Sequence, residues 1–208
     1  MKNRLTLLSI TFGLLSAAIL LTIYGMWFFY PQEIHFLNLE TSTQLSSQTI
    51  QYNFNVLMQY LTNPLRWTLS MPDFRSSVDG LHHFEVVKLL FHVAQLVFLV
   101  NLPIVYVFFR KLFKEKMLAH YKNWFLICLL LPIGIGIFAI LIGFNQFFVL
   151  FHQLLFVGDE TWMFDPNKDP VIRILPELFF LHAFSLFFLL YEGIFGFFYY
   201  KISKKSTF

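Results

Sequence analysis

Two polar stretches interrupt an otherwise apolar chain with groups able to move protons. His82, His83, Glu85, Lys88 and His92 open one apolar run, Asn145, Gln146 and His152 close the next, and Glu177 and His182 open the last. Imidazole takes and gives protons near neutral pH. His83 and His152, each beside a polar loop, therefore have the chemistry of a general base and a general acid, which acyl transfer requires. One histidine at such a place is ordinarily a hydrogen-bonded packing residue, so the gathering of polar groups from three runs is what points to a site. Lys88 alone reads equally well as a lysine snorkelling to the interface. His83-Phe84-Glu85 is too common a spacing to indicate a metal, and no His-Glu-x-x-His, Gly-x-Ser-x-Gly elbow or glycine-rich phosphate loop occurs. The stretch Trp162-Met163-Phe164-Asp165-Pro166-Asn167-Lys168-Asp169-Pro170 sets aromatic rings between carboxylates and turn-forming Asp-Pro steps. That is the composition of a loop lying over a bilayer surface; as a plain capping loop it would be anchored by Trp162. Glu192 lies deep in the last run with no evident partner, either paired or functional.

The elements that must carry these groups are membrane spans. Of the 208 residues, 57% are hydrophobic and 13% charged, the mean hydropathy is +0.64, and 29 are phenylalanine, a balance that lipid accommodates and a water-soluble domain does not. A net charge of +3 with no basic stripe broken by aromatics excludes a nucleic-acid partner. The one cysteine, Cys128, sits inside an apolar run, which excludes a disulfide framework and a Cys-rich metal site and leaves it as a small packing residue.

Four runs exceed or match the roughly 20 residues needed to cross a hydrocarbon core: 5–29, 84–109, 124–151 and 176–200. The first follows Lys2 and Arg4 as a signal peptide would, but it ends in Trp27-Phe28-Phe29-Tyr30-Pro31 instead of small residues and is read as a permanent anchor with an aromatic belt. Segment 30–83 is expected as a compact cap, with a turn at Asp79-Gly80. Within it Tyr52, Phe54, Val56, Met58 and Tyr60 alternate at period two, the pattern of a half-buried strand, with a surface helix as the other reading. Pro132, Gly134 and Gly136 are expected to kink the third span. Segment 152–175 forms a second polar loop.

Lys2, Arg4, Arg110, Lys111, Lys114, Lys116, Lys122, Lys201, Lys204 and Lys205 fall on one side of the four spans, and Arg66, Arg75, Lys88, Lys168 and Arg173 on the other. The positive-inside rule then puts segments 1–4, 110–123 and 201–208 in the cytoplasm and both larger polar segments outside. Of the acidic residues only Glu115 and Glu192 lie on the cytoplasmic half. No internal repeat is visible, so the signature of many transporters is missing.

Three stretches carry a resemblance to a known family. Ser76-Ser77-Val78-Asp79-Gly80-Leu81-His82-His83-Phe84-Glu85-Val86-Val87-Lys88, then Phe151-His152-Gln153-Leu154-Leu155-Phe156, then Trp162-x-Phe164-Asp165-Pro166-x-x-Asp169 leading to Leu175-Pro176 resemble the lipoprotein intramolecular transacylase family, Lit, of low-GC Gram-positive bacteria. Span count, loop sizes and chain length agree across nearly the whole chain. The His82-His83 doublet allows two registers, and His83 is taken because Phe84 follows it.

The resemblance implies an all-α membrane protein, a bundle of four transmembrane helices under a small extracellular cap, in a bacterial cell membrane. It implies His83 and His152 as catalytic residues, with Trp162, Phe164, Asp165, Asp169, Lys88, Glu85 and Phe156 binding substrate or supporting the pair, and no metal or cofactor. The substrate would be a lipoprotein whose N-terminal Cys bears a diacylglyceryl thioether, and the sn-2 acyl chain would move to the α-amino group of that Cys. Nucleophile and ester share one molecule, so holding them together supplies much of the rate, and no Ser or Cys nucleophile is needed. The competing reading is a non-enzymatic four-span scaffold or transporter subunit, but a conduit calls for polar residues through the inner half of the spans, where mainly Asn101 and Glu192 occur. Bound zinc would favour a membrane metalloprotease.

Overall fold

The structure, a computed structural model, describes residues 2–114 and 121–205. Glu115 and Lys116 of the charge count lie outside the described residues, as do residue 1 and residues 206–208. All regular elements among the described residues are helical: α1 Lys2–Phe36, α2 Leu39–Thr43, α3 Ser47–Thr62, α4 Val78–Lys114, α5 Lys122–Ile142, α6 Phe144–Leu155, a 3₁₀ turn Pro170–Ile174, and α7 Glu177–Lys205. Four of these, α1, α4, α5 and α7, are long and apolar enough to cross a membrane. Their outer faces agree with that, since Ile140 and Leu141 of α5 are 82% and 79% exposed, which only lipid makes tolerable across a whole span.

The chain divides into two compact units. The first comprises residues 1–22, 94–143 and 185–208. Its core is aromatic: Phe108, Phe125 and Phe198 stack, with Phe125 and Phe198 centroids 5.8 Å apart and 16° from parallel, and Ile10, Leu14 and Ala18 of α1 pack with them. Pro132 lies within α5 without ending it. It lacks the N–H that would bond the carbonyl of Cys128 four residues back, and the buried Tyr191 hydroxyl donates to that carbonyl instead, at 3.0 Å. Cys128 itself is buried as packing. One carboxylate oxygen of Glu192 is buried without a hydrogen-bond partner among the described residues.

The second unit comprises residues 23–93 and 144–184. Here the structure corrects the strand reading of the cap: Gln51 to Leu61 lies inside α3. The Ser46 hydroxyl caps its start by accepting from the Thr49 N–H, and Ile50, Asn53, Phe54, Leu57 and Leu61 form a buried stripe at helical spacing, which outweighs the coincidental alternation. Phe54 stacks on Tyr30 with centroids 3.4 Å apart, and the Tyr30 hydroxyl donates to the Ile174 carbonyl at 2.8 Å, tying α1 and α3 to the 3₁₀ turn. The expected turn at Asp79-Gly80 is instead the first turn of α4. The third apolar run is divided between α5 and α6 by Gly143 at φ +86°, a conformation L side chains rarely adopt.

Removing the Tyr191 hydroxyl by Tyr191→Phe leaves the Cys128 carbonyl unpaired in an apolar core. Thermal unfolding in detergent should show a loss of about 1 kcal/mol.

Candidate active site

α4 starts at a cap that the sequence encodes locally. The Ser77 hydroxyl accepts from the Gly80 N–H at 3.0 Å, satisfying one donor of the first turn. Ser77 is itself held by Asp169, whose carboxylate, 3% exposed as a residue, accepts from the Ser77 N–H at 2.7 Å and from its hydroxyl at 2.6 Å. Gly80 is required here because a Cβ would land on that carboxylate. Arg75 also donates to the Asn167 carbonyl. One turn beyond Gly80 comes His83.

His83 and His152 are both buried and lie together, ring centroids 6.2 Å apart. Phe156 contacts both imidazoles, at 4.9 Å from His83 and 5.6 Å from His152. Phe164 meets His83 edge to face at 5.4 Å, and Trp162 lies 4.8 Å from His152, so the loop encloses the pair from one side. Phe148 closes on His152 at 4.1 Å. The His152 Nδ1 lies 2.8 Å from the Phe148 carbonyl oxygen; a carbonyl only accepts, so Nδ1 carries the proton and Nε2 presents its lone pair. Burial pushes the imidazole of His152 below its ordinary value, partly offset by that hydrogen bond, so the neutral form prevails at pH 7. The Nδ1 of His83 is buried without a hydrogen-bond partner among the described residues. The doublet is thereby divided: His83 joins the pair, whereas His82 is exposed, its Nε2 3.4 Å from Asp159 Oδ2.

The other expected site residues separate into those at the pair and those that support it from a distance. Trp162, Phe164 and Phe156 are at the pair. Asp169 acts through the α4 cap and not on an imidazole. Asp165 is exposed and turns the loop, accepting the Asn167 N–H at 2.9 Å on its side chain. Lys88 neither reaches water nor points to the pair: its ammonium donates to the carbonyls of Tyr60, Asn63 and Arg66 at 2.6, 2.8 and 2.6 Å, so its three protons close the C-terminal end of α3. Glu85 is exposed. Of the remaining polar residues, His182 bonds Glu33 at 2.8 Å and Asn145 bonds Glu177 at 3.0 Å, which links helices within this unit. Sequence reasoning missed Asp159. Its signal was present in Gly158-Asp159-Glu160-Thr161, where Gly158 at φ +79° and the Thr161 N–H bonded to Asp159 Oδ1 at 2.8 Å make a side-chain-supported turn.

The family model for lipoprotein intramolecular transacylase Lit matches residues 4–180. The chain belongs to the Lit family. The membrane integral lipoprotein intramolecular transacylase Lit from Bacillus cereus is 32% identical over 100% of this chain and 99% of that one, with a TM-score of 0.82. Two structures of the same protein carrying a histidine replaced by arginine or by alanine match at 33% and 32% identity, covering 99% and 100% of this chain and 94% and 96% of theirs, with TM-scores of 0.74 and 0.75. No curated protein matches the chain by sequence. Family membership makes the chain a membrane-integral enzyme of the transacylase class, with lipoproteins as the family's substrates.

Gly→Ala inside a helix ordinarily stabilises by about 1 kcal/mol. Gly80→Ala should do the reverse, since the new methyl displaces the Asp169 carboxylate from Ser77. A lower unfolding temperature together with lower activity is the expected result, and a stabilised variant would contradict the packing.

Proposed function

We propose that the chain moves the sn-2 acyl group of a diacylglyceryl-modified lipoprotein onto the α-amino group of its N-terminal Cys, with His83 and His152 as the acid–base pair. The observation that carries the proposal is the aromatic enclosure holding two buried imidazoles with ring centroids 6.2 Å apart, in a chain whose family is named for that class of transfer. The α-ammonium loses one proton to His83, and the amine attacks the ester carbonyl. His152 Nε2 takes the second proton from the tetrahedral nitrogen. As the C–O bond breaks, the sn-2 oxygen recovers the proton from His83, and His152 returns its own to solvent. One C–N bond forms, one C–O bond breaks, and no second substrate enters. Intramolecularity lets positioning do much of the work, and the rings of Phe156, Phe164 and Trp162 supply it by restricting the glyceryl group and excluding water.

The lysines and arginines support a site outside the cell. Of the ten on the side assigned to the cytoplasm, the nine among the described residues belong to the first unit, and the five on the other side all belong to the second, with the imidazole pair. In the proposed topology 1–4, 110–123 and 201–208 are cytoplasmic, and the segments holding α2, α3 and the Trp162 loop are extracellular.

Mass spectrometry of a lipoprotein N-terminus from cells expressing the chain tests the reaction. The acyl chain should appear on the α-nitrogen with the unaltered protein and stay on the glyceryl group with His83→Ala or His152→Ala, each at least a hundredfold slower. An acyl chain that never leaves the glyceryl oxygen sinks the reaction; full activity in both variants removes the pair.

The pH profile follows from His152. Its imidazole is a base only when neutral, and burial lowers its pKa, so kcat/KM should hold through neutral pH and fall as pH drops through a value below the usual imidazole range near 6.5. A limb that falls already above pH 7 would assign it to another group.

A further inference from the structure

A carboxylate not used by the acid–base pair stands beside it. Asp159 follows α6 through a tight turn in which its N–H bonds the carbonyl of Phe156 at 2.9 Å, the residue whose ring touches both imidazoles. Hydrogen bonding from Thr161 holds the Asp159 carboxyl below the usual carboxylate range, so it is ionised, and its charge acts on both His82 and His83. The side chain is 23% exposed, open enough to meet a ligand, and the facing His82 side chain is 53% exposed, with 3.4 Å between Nε2 and Oδ2. Oδ1 accepts from the Thr161 N–H, and Oδ2 lies 3.4 Å from His82 Nε2.

The proposed substrate brings one obligatory cation to this place, the α-ammonium of its N-terminal Cys. We propose that Asp159 is the recognition site for that α-ammonium, binding it beside the imidazole pair before it is deprotonated; the inference rests on the transacylase reading. Of the carboxylates in the supporting shell already described, Asp169 is buried and occupied by Ser77, and Asp165 is engaged in its own turn. The assignment also predicts how the kinetics divide. The ion pair exists with the ammonium and ends when the amine is formed, so it stabilises the bound ground state and not the transition state. Its loss should raise KM and kcat together and leave kcat/KM little changed.

Two measurements test this. The first is binding to the purified protein in micelles of an unreactive dialkyl-ether analogue, a peptide whose N-terminal Cys carries a di-O-alkylglyceryl thioether, with its α-amine free or acetylated. The unaltered protein should bind the free-amine form about fivefold more tightly, the scale of a partly exposed ion pair. Asp159→Asn keeps the oxygen that Thr161 bonds and should abolish the difference, and Asp159→Glu should restore part of it. The second is turnover of the reactive diacyl lipopeptide, where Asp159→Asn should raise KM about fivefold and kcat with it, leaving kcat/KM little changed. Equal binding of the two analogues by the unaltered protein overturns the proposal, as does a preference that survives in Asp159→Asn, or a loss confined to kcat. If the unaltered protein moves no acyl chain yet shows the Asp159-dependent preference, the transacylase reading fails and the ammonium site stands. If the acyl chain moves but no preference exists, the ammonium site alone fails.

Discussion

The buried carboxylate of Asp169 on Ser77 is the contact on which the site's geometry depends. At one end of the Trp162 loop it fixes the chain that lays Trp162 and Phe164 over the imidazoles, and at the other it fixes the first turn of α4, from which His83 projects. The contact is strong because the carboxylate receives two donors, the Ser77 N–H and hydroxyl, where water is excluded. It is specific because only a glycine at position 80 leaves room for it. A 92-residue separation in sequence thus becomes one hydrogen-bonded corner.

The same requirement, that a polar group removed from water find a partner in the chain, explains the other long-range ties. Lys88 satisfies three carbonyls that the end of α3 and the following turn leave open, Tyr30 reaches Ile174, and Asn53 and Asp73 exchange bonds of 2.7 and 3.2 Å. In the first unit Tyr191 does this for the carbonyl that Pro132 strands. Each of these polar groups holds two segments together, and apolar packing of phenylalanine, which is weakly directional, fills the space between them.

The spans were legible because a bilayer demands long apolar runs, a constraint on composition more than on packing. His83 and His152 stood out as a candidate pair because ionisable groups at that depth are scarce, and the structure brings their rings together. The helical state of α3 was not legible, since Tyr52, Phe54, Val56, Met58 and Tyr60 alternate while the buried stripe through Ile50, Phe54, Leu57 and Leu61 has helical spacing. Both periods coexist in one segment, and the Ser46 cap with the burial of the helical stripe, Phe54 stacked on Tyr30, selects between them. The roles of Lys88 and Asp169 were hidden for a related reason: a charged residue near a site looks alike in sequence whether it meets substrate or a backbone group far along the chain. Asp159 escaped notice because its role depends on where the turn after α6 points it.

In the proposed reaction, burial at the pair and partial exposure at Asp159 divide the labour between binding and chemistry. A charge is costly inside the aromatic enclosure, which keeps His152 neutral and its Nε2 lone pair available, but the same enclosure would repel the ammonium that must arrive. An ionised carboxylate at the edge, still reached by water, meets that cation where desolvation costs little. Had the carboxylate been buried with the imidazoles, it would have held the substrate as ammonium and worked against the deprotonation on which the transfer depends. Had it been absent, the amine would approach a neutral, apolar site with nothing to favour it over water. Placing the charge at the edge of the pair, one turn after Phe156, would let the substrate of the proposed reaction enter charged and react neutral.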